Sequence, residues 1–104
     1  MLLRFGSYQL DEDRLELRQG ETLVDVQPRV LETILFLARR ANRLVTKEEL
    51  IAGPWKGVRV SDAALSQAIS QARAVLGEDP QVPKFIETLR GKGFRFCGVL
   101  RRSH

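Results

Sequence analysis

Several residue types are nearly missing from this 104-residue chain, and each scarcity removes a class of function. One cysteine, Cys97, excludes an internal disulfide and suits a reducing compartment. One histidine, His104, has no second imidazole beside it. Metal-ligand sets and His-based general acid–base or nucleophilic chemistry therefore have no starting point. No apolar run approaches the ~18–20 residues that cross a bilayer, and Met1-Leu2-Leu3 leads straight into Arg4 rather than into a signal-peptide core. There is no internal repeat and no low-complexity tract. The expectation is one cytoplasmic domain, by itself or as the cytoplasmic part of a larger, membrane-anchored protein, with no catalytic residues, no metal, no cofactor and no small-molecule substrate.

Acidic side chains are scarce at one end only. The chain holds 17 basic and 13 acidic residues, a net charge of +4, but residues 84–104 carry Lys84, Arg90, Lys92, Arg95, Arg101 and Arg102 against Glu87 alone. A second basic cluster, Arg39, Arg40, Arg43 and Lys47, lies mid-chain. Clustered positive charge of this size suits an anionic partner without proving one.

With 43% hydrophobic residues the chain can build a single core. Over residues 3–26, Phe5, Tyr8, Leu10, Leu15, Leu17, Val24 and Val26 keep a period of two, with turns at Gly6-Ser7, Asp11-Glu12-Asp13 and Gln19-Gly20. This predicts a meander of four short antiparallel strands. Pro28 suits a helix first turn, and Val30, Leu31, Ile34, Leu35, Leu37, Ala38 and Ala41 form an apolar stripe ending near Asn42. Thr46 and Glu49 make a capping box for a short second helix that Gly53-Pro54 terminates. An eight-residue connector, residues 53–60, precedes a third helix. After the breakers of 77–80, strands at Phe85–Leu89 and Phe94–Val99 flank Arg90-Gly91-Lys92-Gly93, a basic hairpin tip between glycines. Cys97 reads as a small core residue beside Phe96.

The third helix, opened by Ser61-Asp62 and stopped at Gly77, is the informative one. At ~100° per residue, Leu65, Ala68, Ile69, Ala72 and Leu76 share one narrow arc. Ala63, Ser66, Gln67, Ser70 and Ala74 occupy the opposite side, flanked by Gln71 and Arg73. Short neutral hydrogen-bonding groups replace the usual Glu/Lys mixture. Such a face suits a groove lined with donors and acceptors, and it equally suits a merely solvated helix.

Two segments, RLVTKEELIAGPWKGVRVSDAALSQAISQARAVLGED and PKFIETLRGKGFRF, resemble the OmpR/PhoB-type winged-helix DNA-binding domain of bacterial transcription regulators. The N-terminal segment is similar to members that carry this domain first, the CadC/ToxR-like kind, with no receiver domain ahead of it. The implied fold is α+β: a winged helix-turn-helix with an N-terminal four-stranded antiparallel sheet, three helices and a C-terminal β-hairpin wing. The domain would fill residues 1–100, with 101–104 as a basic tail or the start of a linker. The resemblance implies sequence-specific binding of double-stranded promoter DNA, with helix 61–76 in the major groove and wing 90–93 in the minor groove. It carries Ser66, Gln67, Ser70, Gln71 and Arg73 over as recognition-helix residues, Thr88, Arg90 and Lys92 as wing residues, and Lys47 and Trp55 as backbone contacts. Trp55 also reads as a core plug between the connector and the third helix.

One departure stands out. Members often carry several basic residues along the recognition helix, whereas this chain has Arg73 alone. The electrostatic share then falls to Lys47, the Arg39–Arg43 region, the wing and Arg101-Arg102, with self-association on tandem DNA sites adding strength. The alternative reading is a winged-helix protein-interaction module docking RNA polymerase or a like domain, through the connector.

Overall fold

In the computed structural model, which describes residues 1–77 and 85–103, two antiparallel sheets enclose a small helical layer. The first sheet begins with β1 (Leu2–Phe5), β2 (Tyr8–Asp11), β3 (Glu16–Gln19) and β4 (Thr22–Val24), paired in sequence order. Alternation sends Leu3, Phe5, Tyr8, Leu10 and Leu17 inward, and all five are buried. Leu15, placed by its spacing in a strand, lies in the preceding turn at φ 52° instead. A turn with three acidic residues between strands must bend the backbone before β3 can start.

Four helices and strands follow: α1 (Pro28–Arg39), β5 (Leu44–Val45), α2 (Lys47–Ala52) and α3 (Asp62–Val75). Helix α1 lays Val30, Leu31, Ile34, Leu37 and Ala38 under the sheet, each at most 3% exposed. At ~1.5–3 kcal/mol per large apolar side chain, this stripe fixes α1 as the central element of the core. Arg40 donates to the Phe36 carbonyl at 3.2 Å, satisfying one of the carbonyls that any helix leaves unpaired at its end, and Asn42 turns the chain at φ 66°. The capping box of α2 is complete: Thr46 Oγ1 accepts from the Glu49 N–H at 3.1 Å, and the Glu49 carboxylate accepts from the Thr46 N–H at 3.2 Å.

The wing is built from β6 (Ile86–Leu89) and β7 (Gly93–Phe96), with Glu87 opposite Arg95 and Thr88 opposite Phe94. Gly93 belongs to the strand rather than to the tip, and β7 ends before the bend at Gly98 instead of reaching Val99. Strand β5 pairs with β7, Val45 opposite Phe94, and makes the second sheet three-stranded. Two residues are too few for a period-of-two signal, so nothing in the sequence marks β5. The expected loop residues 78–80 and Lys84 lie outside the described residues.

Where a basic tail or linker was expected, β8 (Arg101–Ser103) pairs with β1, Leu3 opposite Arg102 and Arg4 opposite Arg101, as the fifth strand of the first sheet. The pairing comes from backbone groups on an open β1 edge, which a charged tripeptide's side chains do not advertise. Charged residues on an exposed edge strand also discourage further pairing. Arg102 reaches across to the Arg39 carbonyl at 3.2 Å and joins β8 to the end of α1.

Candidate nucleic-acid interface

Ser61 caps α3 by accepting from the Ala64 N–H at 3.1 Å. Leu65, Ala68, Ile69 and Ala72 are then at most 4% exposed, while Ala63, Ser66, Gln67, Ser70, Gln71 and Ala74 are exposed. The helix thus presents the short polar face that its sequence describes.

The wing meets this face along one flank. Lys47, Ser66, Ser70, Arg73, Thr88 and Arg90 all line one groove of about 220 Å³ between α3, the start of α2 and the hairpin. The remaining candidates lie around it. Gln67 is exposed further round α3, and Lys92 is exposed at the wing tip beside Gly91. Gln71 faces away from the wing, over a separate hollow lined by Asp25, Val26, Gln27 and Val30.

The polar groups within the groove are partly engaged with one another. Arg73 Nε donates to the Ile86 carbonyl at 3.2 Å, and its Nη2 donates to Thr88 Oγ1. These bonds tie the helix to β6. Lys47 Nζ stands 3.8 Å from an Asp62 carboxylate that is 82% exposed, a loose surface pair. Arg90 and Lys92 make no ion pair or side-chain hydrogen bond among the described residues, nor do Lys56 and Arg59 of the connector. Lys92 keeps the hairpin tip tight through its backbone N–H, which donates to the Leu89 carbonyl at 2.9 Å.

The two wing glycines serve different ends. Gly91, at φ 72°, has open space where a Cβ would be, so the tip stays slim. Gly93 is buried, and a Cβ there would run into the Val45 carbonyl of β5. Its smallness serves the sheet, not access to a ligand.

Trp55, expected both as a core plug and as a backbone contact, is half-buried and packs against α1. Its indole N–H donates to Thr33 Oγ1 at 3.1 Å, its main-chain N–H donates to the Leu50 carbonyl at 3.1 Å, and the Arg29 guanidinium lies 5.6 Å from its ring centroid. Both donors are therefore spent inside the protein. Arg29 also donates to the Pro54 carbonyl, which holds the Pro54-Trp55 step against α1. Thr33 is the residue sequence reasoning passed over. Fully buried, it donates to the Arg29 carbonyl at 2.8 Å while accepting from Trp55. A lone threonine inside an apolar helical stripe was the available signal.

The mid-chain arginines are likewise engaged. Arg39 pairs with Glu12 at 3.1 Å and Arg43 with Glu49 at 2.7 Å, while Arg40 lies 3.6 Å from the Phe36 ring centroid. The Glu12 carboxyl is held below its ordinary value by the Arg39 hydrogen bond. Glu49 is lowered first by the Thr46 backbone N–H and then by Arg43.

A capped outward helix set against a slim basic hairpin is a winged helix-turn-helix. The chain belongs to the family of transcription-regulator DNA-binding domains described as Transcriptional regulatory protein, C terminal, which it matches over residues 20–96. It is 33% identical over 89 residues to a cholera toxin homolog transcriptional activator of Vibrio parahaemolyticus, covering 83% of this chain and 30% of that protein. It is 32% identical over 92 residues to the transcriptional regulator HilA of Salmonella typhimurium, covering 88% of this chain and 16% of that protein. The chain thus spans between about a sixth and about a third of the length of these relatives. The RstA DNA-binding domain of Klebsiella pneumoniae, solved in complex with RstA box, superposes with a TM-score of 0.81 at 26% identity, covering 92% of this chain and 96% of that one. The DNA-binding domain of Escherichia coli CadC gives a TM-score of 0.81 at 20% identity over 96% of this chain and 94% of that one, a likeness of fold. Among the described residues no helix is long and apolar enough to cross a membrane.

Proposed function

We propose that this domain binds double-stranded promoter DNA sequence-specifically, with α3 in the major groove and the wing tip at 90–93 in the adjacent minor groove. The observation that carries this reading is the convergence of Lys47, Ser66, Ser70, Arg73, Thr88 and Arg90 on one groove between helix and wing. Ser66, Gln67 and Ser70 read base edges: Gln pairs bidentately with adenine, and Ser serves as donor or acceptor. Exposed Ala63 and Ala74 meet thymine methyls. Gln71 lies at the margin, on the side away from the wing. Arg90 enters the minor groove, where A·T-rich narrowing strengthens the potential felt by a guanidinium. Lys92 and Lys47 contact phosphates, the latter by exchanging Asp62 for a stronger anion. Thr88 accepts from Arg73 and keeps its own hydroxyl proton for a phosphate. Trp55 supports the connector from behind.

The test is a titration against duplex promoter fragments over a salt series. With about four to five phosphates contacted, log K falls with log salt at a slope of roughly −4. Salt-independent binding, or no preference among duplexes, overturns the reading. A contact with RNA polymerase has its own support in Ile51 and Val58, 38% and 37% exposed on α2 and the connector. Crosslinking from Val58 to purified polymerase, retained when Arg90 and Lys92 are charge-reversed, would identify it. Self-association on tandem sites predicts cooperative filling of a two-site fragment and none on a single site.

A further inference from the structure

The outer face of the five-stranded sheet carries basic residues that the α3 groove does not use. Strand register sets Arg101 of β8 opposite Arg4 of β1, Arg4 opposite Gln9 of β2, and Gln9 opposite Arg18 of β3. All lie on the face turned away from α1, since Leu3, Phe5, Tyr8, Leu10 and Leu17 fill the other. Residues directly opposite each other on antiparallel strands stand about 5 Å apart, and like charges there cost stability unless something neutralises them. The acids of this face are committed elsewhere. Glu16 pairs with Arg18, and Asp11 accepts from the backbone N–H groups of Asp13 and Arg14. Arg4 and Arg101 are exposed and make no ion pair or side-chain hydrogen bond among the described residues.

These two arginines are not spread over a flat surface. With Arg102 at the edge they line a hollow of about 530 Å³, completed by Gly6, the exposed Val99 and the main chain at Phe5. A second hollow, of about 340 Å³, adjoins it through Arg4 and runs past Gln9 toward Gly20. Paired guanidinium forks match the oxygens of a phosphate bidentately and favour an anion with more than one negative charge. Two unpartnered arginines beside two adjoining hollows suit more than one phosphate group in a row.

We propose that the Arg4–Arg101 pair, with Arg102 on its rim, is a phosphate-binding site that takes an oligophosphate or a chain of phosphate esters. It shares no residue with the α3 groove and does not depend on what that groove binds. The same chemistry is offered by a free di- or triphosphate and by the backbone of a second DNA segment.

The experiment follows the arginine side-chain Nε–H signals by NMR while the domain is titrated with pyrophosphate, tripolyphosphate, or sodium chloride of matched ionic strength. Saturable shifts at Arg4 and Arg101 with the phosphates and not with chloride are expected. The R4Q/R101Q variant, altered only on the exposed face, loses affinity by at least about tenfold, the effect of removing charge-assisted hydrogen bonds. R4K/R101K keeps the charge but not the fork and binds with intermediate affinity. A 12-base-pair duplex is added to R90A in a parallel arm. Shifts at Arg4 and Arg101 from the duplex assign the site to DNA backbone, and shifts from the oligophosphates alone assign it to a free ligand. No saturable shift, shifts equal to those in chloride, or unchanged affinity in both double variants overturns the proposal.

Discussion

Replacing Arg73 with alanine distinguishes a phosphate contact from a clamp between helix and wing. The guanidinium bonds the Ile86 carbonyl at 3.2 Å and also the Thr88 hydroxyl, so two charge-assisted bonds link α3 to β6. Such bonds are worth about 1.5–3 kcal/mol each when fully sheltered. Arg73 is only half-buried, and water reaches the freed groups once the wing relaxes. The combined loss in folding stability should therefore be about 1–2 kcal/mol. Affinity for duplex DNA should fall by a similar amount, about 5- to 30-fold, because the wing must be re-ordered beside α3 on binding while Arg90 still makes its contact. The salt dependence decides between roles. Losing a phosphate contact flattens the slope of log K against log salt by about 0.9, whereas losing a clamp leaves it unchanged. Fluorescence anisotropy over a salt series measures both quantities, and urea unfolding measures stability. A slope about one unit shallower with wild-type stability would refute the clamp.

Arg90→Ala should weaken binding most where the site is flanked by A·T pairs, and Gln67→Ala should change which base is preferred; equal losses on every sequence in a binding-site selection would remove both assignments. Thr33→Val leaves the Trp55 indole N–H without its acceptor, at a cost of about 1–2 kcal/mol and with a red-shifted tryptophan emission, read by thermal unfolding and fluorescence. Glu49 is lowered by its cap bonds, so its contribution to stability is complete above the ordinary carboxylate value and fades as pH falls through the lowered one. The stability gap between wild type and Glu49→Gln should accordingly close on acidification below about pH 4 in melts across pH. Gly93→Ala should cost well over about 1 kcal/mol because its Cβ meets the Val45 carbonyl, and Gly91→Ala should cost about 1 kcal/mol from backbone strain alone, both measured by denaturant midpoint.

The parts legible in the sequence were those that repeat a pattern over several residues. The period of two in β1 to β3, the stripe of α1 and the cap-to-glycine span of α3 each involve many side chains making the same choice. Where one or two residues decide, the pattern is silent. Strand β5 has two residues, and β8 pairs through its backbone while its arginines point elsewhere. Side-chain commitments were hidden for a different reason. That Arg39 meets Glu12, 27 positions away, or that Trp55 meets Thr33, 22 positions away, depends on the packing of distant segments. Composition counted these arginines as available positive charge, and the folded chain has already given several of them partners. The resemblance placed Arg73 and Thr88 in one interface, but not the bonds that join them.

Those commitments bear on how strongly a single copy can hold DNA. Helix α3 contains one acid and one base, Asp62 and Arg73, and the base is engaged with β6. The helix therefore adds almost no net attraction for phosphates. On the proposed reading, attraction comes from Arg90 and Lys92, with Lys47 joining after it leaves Asp62, and the connector's Lys56 and Arg59 can add to it. Four or five contacts of this kind are lost quickly as salt rises, and hydrogen bonds from Ser and Gln discriminate bases without anchoring the protein. We infer that useful occupancy at physiological salt requires two copies on adjacent sites. Linking two weak contacts raises the effective concentration of the second into the millimolar range, and avidity can exceed either affinity by about 10²–10⁴. Site spacing then becomes part of the specificity. Inserting half a helical turn between tandem sites should abolish cooperative binding while leaving each single-site affinity unchanged.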